Sequence, residues 1–147
     1  MVPARLHGPV LSLFRMVTGL LFLRHGAASV FGVLGGNPMT GRAVPVAEWP
    51  GWWAALIQLV CGALVLVGLF TRPAALLASG SMAYAYFVVH LPDGPLPLRN
   101  GGEPAALFCW SFLLVAVLGP GTWALDTLLS RPRGVVTEPA ARPSVPA

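Results

Sequence analysis

The sequence contains no lysine and little charge of either sign. Charged residues make up 10% of its 147 positions, whereas a typical soluble domain has about 25%. A soluble protein of this size needs a polar surface that so few charges do not supply. Hydrophobic residues make up 56% of the chain, so we expect a single-domain integral membrane protein.

The motifs of several enzyme and metal-binding classes are missing as well. The sequence has no P-loop, no glycine-rich dinucleotide turn, no HExxH or GxSxG motif and no catalytic pair of carboxylates. The two cysteines, Cys61 and Cys109, lie far apart and lack the His and Cys neighbours of a zinc site. We interpret them as packing residues, with a functional thiol pair as the alternative, and expect no metal site. The arginines are scattered, which argues against nucleic-acid binding.

What the chain does have is four long apolar stretches, at about 10–34, 52–70, 73–91 and from 104 towards 130. About 20 helical residues cross the roughly 30 Å hydrocarbon core of a bilayer, and the second and third stretches are close to that length. Arg24 and His25 argue against a cleaved signal peptide, because they would lie directly against its cleavage region. Gly119-Pro120-Gly121 interrupts the fourth stretch. The helix either kinks there and continues, or stops before a short interfacial helix that Thr122 begins.

Basic residues predict the orientation of these spans. One side of the membrane would hold the two termini and the turn at 71–73, with Arg5, Arg15, Arg72, Arg131, Arg133 and Arg142. The other side would hold residues 36–51 and 92–103, where arginine is balanced by acid. By the positive-inside rule, both termini are cytoplasmic. The sequence therefore predicts an all-α membrane protein, a four-helix transmembrane bundle over residues 1–130, and a disordered proline-rich cytoplasmic tail over 131–147.

Ionisable side chains within a bilayer cost about 2.5–3.5 kcal/mol each unless they are paired or hydrated, so each is a candidate functional residue. Several such residues fall at similar depth on different spans. We predict one polar pocket in the outer leaflet, formed by Arg24, His25, Gln58, Tyr86, His90 and Glu103. One interpretation is a site for a quinone-like head group or a small polar solute, with histidine carrying protons. The other, which we favour, is structural: Arg24 snorkels or pairs with Glu103, and the histidines bond to backbone carbonyls.

Arg15 belongs to a different group of residues. It shares one face of the first span with Gly8, Gly19 and Gly26, within about 40° at 100° per residue. Small residues let a neighbouring helix approach closely. Arg15 would lie near the inner surface, where it either snorkels or forms a structural polar pair with Asp126.

Four strings of the sequence, taken as a set, resemble the DoxX family: HGAASVFG at 25–32, GLFTRPAALLASGSMAYAYFVVH at 68–90, NGGEPAALF at 100–108 and GPGTWALD at 119–126. The resemblance covers about residues 12–128 and implies a four-helix protein of the bacterial inner membrane. Some members form the small membrane subunit of a thiosulfate:quinone oxidoreductase. Others associate with a superoxide dismutase and a sulfurtransferase in a complex concerned with thiol and oxidative stress. Only motif positions carry over: His25, Gly26, His90, Asn100, Glu103 and Asp126.

This chain differs from the usual pattern of the family at three ionisable positions. Ser29 stands where relatives commonly have lysine, and Gln58 where their second helix usually carries glutamate. Ser81 replaces the glutamate of a motif, SGEMA, that is common in the family. Arg24 is itself unusual at its position. We hypothesise that Arg24 partly replaces the missing lysine charge, so that Arg24→Leu damages folding or partner binding far more than Ser29→Ala.

Sequence and resemblance together predict a subunit of the bacterial inner membrane that anchors or supports a redox or oxidative-stress-related complex. The subunit is expected to be non-catalytic on its own, with quinone as its candidate cofactor. Expected partners are the lipid bilayer, a soluble sulfurtransferase, superoxide dismutase or dehydrogenase, and a second copy of the chain. The alternatives are a membrane subunit of a thiosulfate:quinone-type oxidoreductase and a small-solute transporter.

Overall fold

The computed structural model describes residues 3–130, which form six α-helices and no strand. The helices are α1 (Ala4–Phe31), α2 (Gly51–Val67), α3 (Thr71–Tyr84), α4 (Pro97–Asn100), α5 (Glu103–Leu118) and α6 (Leu125–Leu129). A π-helical turn, Ala85–His90, and a 3-10 turn, Leu91–Asp93, continue α3. The prediction of an all-α protein is confirmed for these residues. The predicted tail, 131–147, lies outside the described residues.

Glycines end the long helices where the apolar stretches predict their ends. Gly32 and Gly68 adopt the left-handed conformation, with φ of 68° and 74°, and their N–H groups bond to Ala28 and Leu64 carbonyls. Gly119 ends α5 with a positive φ of 92° but an extended ψ, and its N–H donates to the Val115 carbonyl at 2.8 Å. The next helix begins only at Leu125. Of the two alternatives for the fourth stretch, the helix therefore stops at Gly119-Pro120-Gly121.

The four long helices pack side by side, α1 on α2, α2 on α3 and α3 on α5, with only sparse contact between α5 and α1. Small and aromatic side chains fill the centre, among them Phe22, Val65, Ala75, Ala78, Phe112 and Val115. Two helical segments, Arg5–Phe31 and Thr71–Asp93, are long and apolar enough to cross a membrane. The other two long helices are apolar but shorter.

The contact between α1 and α2 depends on glycines. A Cβ atom on Gly19 would lie 2.7 Å from the main-chain nitrogen of Leu66, and one on Gly62 would lie 2.5 Å from that of Leu23. Gly26 approaches the main chain of Leu59 still more closely. Because no side chain fits at these positions, the predicted close approach along this face of α1 is confirmed for Gly19 and Gly26.

The two ends of this helix assembly differ in construction. At one end, which we call the Arg15 end, lie the start of α1, the turn at 68–70 and the segment 119–124. At the opposite end, which we call the cavity end, lie the loops 32–50 and 91–102. The polar residues discussed below divide between these two ends.

Candidate functional site: a polar cavity between the helices

A cavity of about 250 Å³ lies between α1, α2, α5 and the extension of α3, at the cavity end. Its polar lining residues are His25, Ser29, Asn37, Gln58 and His90. Its apolar lining includes Phe22, Met39, Met82, Pro104 and Phe108. Apolar walls with a few convergent polar groups are typical of sites for small molecules.

His25 and Gln58 reach the cavity from neighbouring helices because α1 and α2 approach closely beside them. Gly26 follows His25 directly and packs on the main chain at Gln58 and Leu59. The His25 ring meets the Phe108 ring edge-on, with centroids 5.8 Å apart. Within residues 3–130, neither the His25 ring nor the Gln58 amide has a hydrogen-bond partner. Their polar atoms are therefore available to a ligand in the cavity.

Ser29 and Asn37 form a second polar pair in the lining. The Asn37 amide nitrogen donates to the Ser29 hydroxyl at 3.0 Å. The main chain of the same loop is held to α1, because the Val44 N–H donates to the Ser29 carbonyl at 2.8 Å. Sequence reasoning missed Asn37. Its only sequence signal is the Asn37-Pro38 dipeptide, which is typical of a turn but does not indicate that the loop folds back over the helices.

His90 enters the cavity from the end of the π-helical turn. Its Nδ1 lies 3.0 Å from the Asn100 carbonyl oxygen, and because a carbonyl only accepts, Nδ1 carries the proton. In the neutral ring, Nε2 is then the acceptor. Asn100 is itself fixed, since its side chain donates to the Gly94 carbonyl at 2.7 Å and accepts the Gly102 N–H at 2.8 Å.

Of the six residues predicted to form the pocket, three line this cavity: His25, Gln58 and His90. Tyr86 does not line it, because its hydroxyl donates to the Pro95 carbonyl at 3.0 Å. The π-helical turn accounts for this change. In an α-helix, His90 would lie on the same face as Tyr86, four residues earlier. The π-helical hydrogen bonds join residues five apart, so His90 shares its face with Ala85 instead, and both line the cavity.

Arg24 and Glu103 also lie away from the cavity. The Arg24 side chain is exposed on α1. Glu103 is exposed at the first turn of α5 and lines a separate surface groove with Thr18 and Leu107. It is the following residue, Pro104, that reaches the cavity.

At the Arg15 end, Arg15 is completely buried, with 0% of its surface exposed. Its guanidinium group donates to the carbonyls of Leu66 at 2.7 Å, Pro120 at 2.9 Å and Trp123 at 2.6 Å, and also to that of Val65. The carbonyls in the last turn of a helix have no partner within the helix. Arg15 therefore satisfies the end of α2 and joins it to the segment after α5.

Asp126 lies on the other side of the turn at 68–70. Its carboxylate accepts the N–H groups of Phe70 at 2.8 Å and Thr71 at 2.9 Å, which caps the start of α3. Burial by itself would raise the pKa of Asp126, but these hydrogen bonds and the positive charge of Arg15 bring it below its ordinary value. The predicted polar pair is thus not a direct contact. The Arg15 guanidinium group donates its hydrogen bonds to main-chain carbonyls, so it does not bond to Asp126. The two side chains instead bind opposite sides of the same turn.

In the part of the chain that the structure describes, the cysteines are not part of a metal-binding cluster. Cys61 is buried in the helix core, Cys109 is half-buried on α5, and both are free thiols. Among residues 3–130, no group of three or more His, Cys, Asp and Glu side chains is arranged to hold a metal ion. The cavity at one end and the Arg15–Asp126 arrangement at the other are therefore the two polar features to compare with known proteins.

Comparison with known proteins assigns the chain to a family. The DoxX family model matches residues 10–91, which span α1 to the 3-10 turn and include His25, Gln58 and His90. An uncharacterized protein of Haemophilus influenzae is 37% identical over 123 residues, which cover 79% of this chain and 87% of that protein. An uncharacterized membrane protein of Mycobacterium tuberculosis is 32% identical over 144 residues, 88% of each chain. No solved structure matches. A family match over more than half the length, on an all-α chain with apolar helices long enough to span a bilayer, shows that this is a membrane protein of the DoxX family.

Proposed function

We propose that the chain is a four-helix transmembrane bundle of the bacterial inner membrane, with both termini in the cytoplasm. The outward-facing apolar surface supports this proposal, since only 28% of the apolar window of each long segment is buried within the protein. The shorter helices, of 17 and 16 residues, reach about 25 Å and need a thinned bilayer or their flanking loops to complete a crossing. The arginines at 5, 15 and 72 all belong to the Arg15 end, which would face the cytoplasm.

We further propose that this subunit holds a quinone head group in the cavity and so supports a membrane redox complex related to oxidative stress. The observation that carries the proposal is a set of polar groups without a partner among residues 3–130, namely the His25 ring, the Gln58 amide and Nε2 of His90, in one cavity with aromatic and methionine walls. At about 250 Å³, the cavity is slightly below the range of about 300–1,000 Å³ typical of drug-sized ligands, which suits one substituted ring.

The lining residues fit the chemistry of such a ring. The Gln58 amide donates hydrogen bonds, and the His25 ring carries an N–H group, both suited to carbonyl oxygens. The Phe108 ring and the Met82 thioether provide apolar contact. A bound quinone accepts two electrons and two protons when it is reduced. His90, with Nδ1 held by Asn100, can take up or release a proton at Nε2.

The partner that supplies or receives electrons is proposed from the family resemblance: a soluble sulfurtransferase, superoxide dismutase or dehydrogenase. The subunit would then anchor this partner. A thiosulfate:quinone-type oxidoreductase subunit is the second candidate, and the available Nε2 of His90 favours it. Transport of a solute is not favoured, because Arg15 and the segment 119–124 fill the opposite end of the helix assembly.

The test is purification from native membranes in mild detergent, followed by quinone extraction and mass spectrometry of co-purifying proteins. We expect stoichiometric quinone in the wild type and roughly tenfold less in His25→Leu and Gln58→Leu, since each loses one well-placed polar contact. Arg24→Leu, which changes the exposed polar neighbour of His25 outside the cavity lining, is the matched control and keeps its quinone. Absence of quinone from the wild type contradicts the head-group site. Recovery of the chain without a soluble partner contradicts the anchoring role.

A further inference from the structure

We propose that the seam between α1 and α5 binds the apolar chain of an amphiphile whose ring occupies the cavity, so that the ligand enters sideways from the bilayer. The ring position rests on the function proposed above. The chain site rests on separate geometry, namely a groove along the sparsely packed interface between α1 and α5.

Two cavities follow each other along this seam. The one nearer the cavity end has a volume of about 430 Å³, and the next, towards the Arg15 end, about 640 Å³. Part of their lining recurs at intervals of three and four on both helices: Leu11, Phe14, Thr18 and Leu21 on α1, and Leu107, Ser111, Leu114 and Leu118 on α5. The remaining lining residues are His7, Gly8 and Val10 on α1, and Glu103, Pro104 and Phe108 on α5.

The two sets face each other in antiparallel register. Leu21 is opposite Leu107 at one end, and Leu11 is opposite Leu118 at the other, so every turn of both helices contributes one wall residue. The helix rises about 15 Å from Leu11 to Leu21, which is half the hydrocarbon thickness of a bilayer. The seam is thus an apolar groove about one leaflet long.

The groove and the polar cavity share a wall. Pro104 and Phe108 line both of them. The Phe108 ring lies 5.3 Å from the Phe22 ring and 5.8 Å from the His25 ring, centroid to centroid. A rotation of this half-buried ring would join the two spaces. A ligand with a polar ring and one apolar chain fits both spaces at once.

The packing of α1 against its two neighbours supports a narrow chain as the occupant. Between α1 and α2, glycines bring the main chains together, which leaves no groove on that side. Between α1 and α5, Phe22 and Phe112 remain in contact, with ring centroids 4.6 Å apart. The helices therefore stay joined behind the groove. A helix from a second copy would cover the groove from outside without connecting to the cavity, whereas a chain attached to the ring passes from one to the other.

The experiment measures equilibrium binding of two radiolabelled probes to the full chain in nanodiscs. One probe is decylubiquinone, and the other is its chain-free dimethoxy-methyl-benzoquinone ring. Leu107→Trp and Leu21→Trp each fill the groove from one side, and both wild-type side chains are exposed, at 62% and 45%. Leu20→Trp, next along α1 and outside the linings of the cavity and the groove, is the matched control.

At equal mole fraction in the membrane, both groove variants are expected to bind decylubiquinone about tenfold more weakly than the wild type, which corresponds to the lost burial of about two methylene groups. Leu20→Trp should match the wild type, and the chain-free ring should bind equally to all four proteins. Equal binding of decylubiquinone to the groove variants and the control overturns the chain site but leaves the head-group site intact. Failure of both probes to bind the wild type overturns both proposals.

Discussion

Arg15 and Asp126 hold opposite sides of the turn that joins α2 to α3. Arg15 donates to the last carbonyls of α2, and Asp126 accepts the first N–H groups of α3. A positive charge at the C-terminus of one helix and a negative charge at the N-terminus of the next are both favourable to the helix dipoles. The two residues are 111 positions apart in the sequence, so this arrangement joins the beginning of the described chain to its end.

Replacing Arg15 should destabilise the protein severely. Arg15→Met leaves four buried or partly buried carbonyls without their charged donor, and we expect a loss of about 3 kcal/mol or more in the free energy of unfolding. Arg24→Met removes an exposed guanidinium group from the same helix and should change stability by about 0.5 kcal/mol or less. Thermal unfolding in detergent, followed by tryptophan fluorescence, measures both. Similar melting temperatures for the two variants would contradict the role of Arg15.

Asp126 should make stability depend on pH. The pKa of Asp126 lies below its unfolded value of about 3.9, so its contribution is complete above that pH and is lost as pH falls through the folded pKa. Asp126→Asn should therefore lower the melting temperature by a constant amount near neutral pH, and the gap to the wild type should close in acid. Asp93→Asn, an exposed acid at the cavity end, serves as the control. A gap that stays constant down to pH 3 would rule out this linkage.

The hydrogen bond in the cavity lining reverses one expectation from the sequence. The hypothesis that Arg24 replaces a family lysine predicts that Arg24→Leu is far more damaging than Ser29→Ala. In the structure Arg24 is exposed, whereas Ser29 is 3% exposed and accepts a hydrogen bond from Asn37. We now expect Ser29→Ala to lose about 1 kcal/mol of stability and Arg24→Leu to lose less. Unfolding measurements in nanodiscs compare them directly, and a larger loss for Arg24→Leu would restore the original hypothesis.

The glycine contact between α1 and α2 can be tested with a second helical glycine as the control. Gly26→Ala would push a methyl group onto the main chain of Leu59, and we expect a loss of about 1–3 kcal/mol. Gly80 lies within α3 with no atom within 4 Å of an added Cβ. Gly80→Ala should stabilise the protein by about 0.5–1 kcal/mol, because alanine loses less backbone entropy. Chemical unfolding should shift in opposite directions for the two variants, and a shared direction would refute the contact.

The sequence predicted the long helices well because apolar runs of the right length are bounded by glycine and proline. It also placed His25, Gln58 and His90 at a similar depth in the bilayer. This was possible because the position of a residue along a helix follows from its distance in sequence from the helix end. It failed for Tyr86, because the π-helical turn changes which side chains face inward without any marker in the sequence. It also missed Asn37, because the path of a loop over the helices depends on contacts that local sequence does not specify.

The burial of Arg15 has a consequence for how the protein is made. The carbonyls that accept its hydrogen bonds belong to residues 65, 66, 120 and 123. The Arg15 side chain can therefore form all of these bonds only after nearly all of the described chain has left the ribosome. Until then, the guanidinium group needs water or lipid phosphate, since a charged group removed from water without hydrogen-bond partners is strongly unfavourable. In the proposed transmembrane topology, insertion of the first segment is therefore provisional. A chain truncated before residue 120 would leave that segment without its anchor and expose it to membrane quality control.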